Sequence, residues 1–73
     1  MFSIKIKCFN PYTNKDVDKL FSWHKDSGRL CEVTTDSAYA AGTSETLFDA
    51  GYDAVMLCEK HGLTVNGLDF WED

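Results

Sequence analysis

Apolar and polar residues alternate from residue 2 to residue 9. Phe2, Ile4, Ile6 and Cys8 fall on one side of an extended chain, and Ser3, Lys5 and Lys7 fall on the other. Successive side chains of a strand point to opposite faces, so this pattern predicts a strand with one buried and one wet face. Asn10-Pro11 ends it, because Pro11 has no N–H for a ladder and biases Asn10 towards extended backbone. Residues 14–26 carry two patterns at once. Val17, Leu20, Phe21 and His24 follow helical spacing, with Thr13 or Asn14 as a cap, Asp16 and Asp18 in the first turn and Gly28 beyond the end. The rival is a hairpin in which Phe21 and Trp23 share a strand face, Lys25-Asp26-Ser27-Gly28 turns the chain, and Arg29–Thr35 returns. The helix is favoured. Under either reading residues 29–35, with Val33, Thr34 and Thr35, predict a strand.

Residues 36–43 are small and polar and predict a loop or a single helical turn. Ser44 then caps the clearest element, a helix over about 45–61 that Gly62 ends. Leu63–Val65 and Leu68–Phe70 predict short strands, and Asn66-Gly67 between them marks either a tight hairpin or a bulge in one strand. The expected order is β-α-β-α-β. The fold class is α+β: a small sheet of three to four strands, packed by one long helix (about 45–61) and a second, shorter helix (about 14–26). Residues 1–73 are expected to form one compact domain, since a chain of this length supports no more than one core.

At 100° per residue the long helix divides into two arcs. Leu47, Phe48, Ala50, Gly51, Ala54, Val55, Leu57, Cys58 and His61 form the arc expected to face the sheet, with Leu47, Val55 and Cys58 as its anchors. Glu45, Asp49, Asp53, Tyr52, Met56, Glu59 and Lys60 form the other. Glu45, Asp49 and Asp53 are four apart, a spacing of ~6 Å that lines carboxylates into a ridge. Like charges so placed cost a few tenths of a kcal/mol per pair, and the helix dipole offsets this only near the N-terminus. Tyr52 and Met56 stand in the same arc, and both residue types serve well at protein interfaces.

Charge sharpens this picture. The formal net charge is −5, and it is unevenly spread. Residues 1–30 hold six basic and three acidic side chains, whereas residues 31–73 hold one basic and nine acidic ones. The acidic half should repel nucleic acid and attract basic surfaces. A competing use is open to the first strand. Lys5 and Lys7, with Phe9 on the same wet face, could contact phosphates and stack a base, although Arg29 is the single arginine and few phosphates could be neutralised.

Specific chemistry is sparse. Cys58 and His61 share a helix face, and Cys8 and Cys31 could complete a metal site, but structural zinc normally shows a close ligand pair in each half. The three cysteines read as free thiols that pack as small hydrophobes. No phosphate loop, dinucleotide fingerprint or metalloprotease motif occurs, so neither a cofactor nor a catalytic residue is expected. No apolar run reaches membrane-spanning length and no signal peptide is evident, so the expected location is the cytoplasm.

In size, charge and lack of catalytic motifs the chain is similar to small acidic inhibitor proteins of bacteriophages and mobile elements, such as anti-restriction and anti-CRISPR proteins. That resemblance implies a nucleic-acid mimic that binds a basic surface of its target. The expected function is thus a protein-binding inhibitor or regulator, not an enzyme, with Glu45, Asp49, Tyr52, Asp53, Met56 and Glu59 as its partner-binding residues. The alternative is a small nucleic-acid-binding domain using the first strand. Self-association is left open.

Overall fold

The alternation at the N-terminus produces the centre of the molecule. In the computed structural model, which describes residues 1–73, strand β1 (Phe2–Asn10) lies between β2 (Lys15–His24) and β5 (Thr64–Glu72). With β3 (Arg29–Val33) and β4 (Ala38–Thr43) they form one five-stranded sheet in the order β4-β3-β2-β1-β5. Every neighbouring pair is antiparallel. The first four strands form a meander. Helix α1 (Leu47–Lys60) then carries the chain across one face of the sheet to the far edge, where β5 pairs with β1.

The region 14–26 is therefore a hairpin arm, not a helix. Ile4 faces Phe21 and Phe2 faces Trp23 across the β1–β2 ladder, so the period-2 pair Phe21 and Trp23 joins the buried side of β1. Burying two aromatic rings on one sheet face outweighs the looser helical pattern, whose Leu20 and His24 end up exposed. Asn14 caps no helix. It takes a left-handed conformation (φ 57) in the turn after β1 and donates its N–H to the Asn10 carbonyl at 2.8 Å. The Asn10 side chain accepts from the Tyr12 N–H at 2.9 Å, which fixes the same turn. The second turn needs Gly28 twice over. Its φ is 73, and a Cβ there would lie 2.8 Å from the Ser44 carbonyl oxygen.

Residues 38–43 are a strand where a loop was expected. The small residues have little strand preference of their own, and the tight turn before them imposes the pairing. The Thr34 N–H donates to the Ser37 carbonyl at 2.7 Å, and Thr34 Oγ1 accepts from the Ser37 N–H at 3.1 Å. At the C-terminus there is one strand rather than a hairpin. Lys7 pairs with Gly67 and Cys8 with Val65, which leaves Asn66 as the extra residue of a bulge. The bulge resets the phase, so Val65, Leu68 and Phe70 all turn to the helix side although their spacing breaks alternation.

The core lies between α1 and the sheet. Ile4, Ile6, Cys8, Phe21, Trp23 and Leu30 come from the strands, and Ala50, Ala54 and Cys58 come from the helix, with Leu63 closing one end. Large side chains line the sheet and small ones line the helix, so α1 sits close. A Cβ added to Gly51 would lie 2.6 Å from Phe70 Cζ. Leu47 and Val55 only flank this core and do not anchor it, whereas Cys58 is buried as expected. Trp23 is fixed by a hydrogen bond from its indole Nε1 to the Ser44 carbonyl at 3.0 Å.

Candidate functional site

The helix starts at a different cap from the one its sequence suggested, and this rearranges the acidic arc. Thr46, not Ser44, is the N-cap, and its side chain accepts from the Asp49 N–H at 3.1 Å. Glu45 therefore precedes the helix and belongs to no helical ridge. Ser44 is buried instead, and its Oγ donates to Asp53 Oδ2 at 2.7 Å. Asp53 is thereby turned towards the β4 side of the helix and half-buried. Of the three carboxylates expected in line, Asp49 alone is helical and fully solvent-facing. It lies in the first turn, where the helix dipole favours a negative charge.

The remaining expected residues are exposed on α1 as the helical phase required: Tyr52 at 66%, Met56 at 47%, and Glu59. Phe48 was expected in the sheet-facing arc and is instead 85% exposed. The correction follows from the packing. Ala50, Ala54 and Cys58 define the line that touches the sheet, and Phe48 lies too far round the helix to reach a core that small residues hold close. His61, expected to be buried, is also exposed. Phe48, Tyr52 and Met56, four apart, make a solvent-facing apolar row bordered by Asp49 and Glu59. The sequence did hold a signal for Phe48: a large residue at the boundary of an arc whose centre is alanine and glycine.

Beside this row, between β4 at Ala41–Thr43 and the helix flank at Asp53, Met56 and Leu57, runs an open groove of about 520 Å³. Glu59 and Lys60 complete its helix wall.

On the opposite face of the sheet, the basic first strand is compensated by its neighbours. Lys5 Nζ lies 3.4 Å from Asp18 on β2, and Lys7 Nζ lies 3.5 Å from Asp69 on β5. The cysteines are divided. Cys8 and Cys58 meet across the helix–sheet interface, while Cys31 lies on the far face of the sheet, beside Ser22. Burial raises the Cys8 pKa, and burial followed by the neighbouring Cys8 pushes the Cys58 thiol up to about 12. Both thiols are thereby kept protonated at neutral pH, and a protonated thiol is a weak nucleophile. No three His, Cys, Asp or Glu side chains converge on a point that could hold a metal ion. No helix is long and apolar enough to cross a membrane.

No protein-family model matches the chain, and no curated protein or solved structure matches it either.

Proposed function

We propose that the protein is a binding module, an inhibitor or regulator that works stoichiometrically in the cytoplasm by occupying a basic, nucleic-acid-binding surface of a partner protein. Its contact surface is the exposed face of α1: Asp49, Tyr52, Met56 and Glu59, joined by Phe48, with Glu45 and Asp53 at the margins. The observation that carries this reading is the row Phe48, Tyr52 and Met56 standing in solvent among carboxylates. Exposed aromatic and methionine side chains supply contact area, and flanking carboxylates steer and orient a basic partner. An enzymatic role finds no support in thiols held protonated by burial. A nucleic-acid-binding role through β1 is disfavoured because Asp18 and Asp69 already neutralise Lys5 and Lys7.

The test is capture of a partner by the parent protein and by the variants Phe48→Ala and Tyr52→Ala, with circular dichroism as the check on folding. Each substitution should weaken binding by about 2 kcal/mol, or roughly thirty-fold. The captured partner should be released by added DNA or RNA, which compete for the same basic surface. Folded variants that capture it as well as the parent would overturn the reading. Retention of the protein itself on a DNA or heparin column at moderate salt would favour the nucleic-acid alternative.

A further inference from the structure

β4 is an edge of the sheet, and its sequence does little to defend it. Ala38–Thr43 contains neither charge nor proline, whereas natural edges are commonly blunted by lysine, proline, a bulge or a covering element. The opposite edge is treated differently: β5 carries Asp69 and Glu72 along its strand. The irregularity in β4 falls at Ala41, which leaves Ala38–Ala40 regular.

The pairing pattern identifies the open backbone groups. The Thr34 N–H donates to the Ser37 carbonyl, and opposed residues of an antiparallel ladder alternate between hydrogen-bonded and non-hydrogen-bonded pairs. Val33–Ala38 is then a non-hydrogen-bonded pair, Glu32–Tyr39 a hydrogen-bonded one, and Cys31–Ala40 non-hydrogen-bonded again. The N–H and C=O groups of Ala38 and Ala40 therefore point away from the sheet, where a further strand would lie.

We infer that β4 receives an extended segment of a partner protein as an added strand, and that this segment alternates basic with small apolar side chains. The inference rests on the reading of a basic partner made above, but it assigns the contact to a different element. Two observations set the chemistry of the segment. The groove beside β4 has Asp53 and Glu59 on its helix wall, with Lys60 the one cation lining it. The β4 residues in between, Ala41 and Gly42, are small, and the exposed Tyr39 precedes them on the same face of the sheet. An added strand lies ~4.8 Å beyond β4, so a short side chain would fall short of the helix. A lysine or arginine can lay its apolar stem over Ala41 towards Met56 and Leu57 and place its charge at the carboxylates. On the other face the added side chains meet only the methyl groups of Ala38 and Ala40, which suits small apolar residues. Main-chain hydrogen bonds would supply affinity, and the alternate side chains would supply specificity.

The probe is a short acetylated, amidated peptide alternating Lys and Val, titrated into the isotope-labelled protein and followed by NMR. Saturable shifts are expected at residues 38–43 and along the groove wall at Asp53 and Glu59, with slowed hydrogen exchange at the Ala38 and Ala40 amides. N-methylation of the peptide on its β4-facing edge should weaken binding by about ten-fold, because main-chain hydrogen bonds are lost while the protein is untouched. Replacing every Lys by Glu should weaken it at least as much. Absence of binding, indifference to N-methylation, or equal binding of the Glu peptide would each overturn the inference. So would protection of Ala38 and Ala40 that grows with protein concentration without peptide, which would make the occupant a second copy of this chain. The two readings fail separately, since the edge is read at the Ala38 and Ala40 amides and the helix face by partner capture with Phe48→Ala and Tyr52→Ala.

Discussion

Phe48 and Gly51 are three residues apart on α1, and together they show how side-chain size decides position. Gly51 lets the helix approach Phe70, and that closeness leaves Phe48 outside the core. Gly51→Ala sets two effects against each other. Replacing a helical glycine gains ~1 kcal/mol of helix propensity. Against this, a Cβ 2.6 Å from Phe70 Cζ overpacks the interface, typically at a cost of ~1–3 kcal/mol. The overpacking should win, and the urea midpoint of Gly51→Ala should fall below that of the parent. The paired thiols give a second residue-scale prediction. An unfolded cysteine ionises near 9.0, whereas Cys58 in the folded state holds its proton up to about 12. Below pH 9 both states are protonated and the shift has no effect on stability. Between about 9 and 12 the unfolded chain releases a proton that the folded chain keeps, so stability falls as pH rises. Unfolding midpoints measured across this range should decline more steeply in the parent than in Cys58→Ala, and parallel slopes would refute the assignment. At neutral pH, a thiol reagent should modify the half-buried Cys31 before Cys8 or Cys58.

Among the elements, β1 and α1 were legible in the sequence because each carries one unambiguous period. The helix had its bounds misplaced by about two residues because Ser44 and Thr46 are both sound caps. What distinguishes them is tertiary: Ser44 is buried by the close approach of Gly28 and the indole of Trp23. The β2 region held both periods, and single-chain spacing cannot say that Phe21 and Trp23 have Ile4 and Phe2 as partners. β4 was illegible for a related reason, since its small residues become a strand through the Thr34–Ser37 turn and the ladder to β3. At the candidate site, exposure of Tyr52 and Met56 followed from helical phase alone, whereas the exposure of Phe48 and the diversion of Asp53 depended on how closely the helix packs. The revised core changes which substitution matters most. Phe21→Ala removes a fully buried ring on the helix side of β2, beside Ile4, and should cost ~3–5 kcal/mol. Leu47→Ala removes a side chain that only flanks the core and should cost distinctly less. Chemical denaturation of the two variants side by side decides the order, and a larger loss for Leu47→Ala would mean that α1 is rotated from the orientation described.

For the molecule as a whole, the acidic excess is not spread evenly over the surface. The sheet face away from the helix pairs Lys5 with Asp18 and Lys7 with Asp69, so its charges largely cancel at short range. The helix side has no such pairs. Glu45, Asp49 and Glu59 are exposed there without an ion-pair partner, and Lys60 in the last turn is the one cation of α1. A basic partner approaching at random is therefore drawn to the α1 side before any contact forms. This separates the roles of the two kinds of residue in the proposed surface. The carboxylates should act on encounter, and Phe48 and Tyr52 should act on retention. Reversing Glu45 and Asp49 together to lysine should slow association with a basic partner by roughly ten-fold at low salt. It should also flatten the dependence of the association rate on ionic strength and leave dissociation nearly unchanged. Tyr52→Ala should do the converse, with dissociation faster and the salt dependence intact. Both positions altered by charge reversal are solvent-facing, and the Thr46 cap accepts from the Asp49 backbone N–H, not from its side chain, so the helix keeps its cap. Removing the Asp49 carboxylate from the first turn should cost less than ~1 kcal/mol. Stopped-flow rates for the captured partner at several salt concentrations read the association rate, its salt dependence and the dissociation rate. If the charge-reversed protein associates as fast as the parent at low salt, the carboxylates of this face serve solubility alone. Partner recognition would then rest on the apolar row.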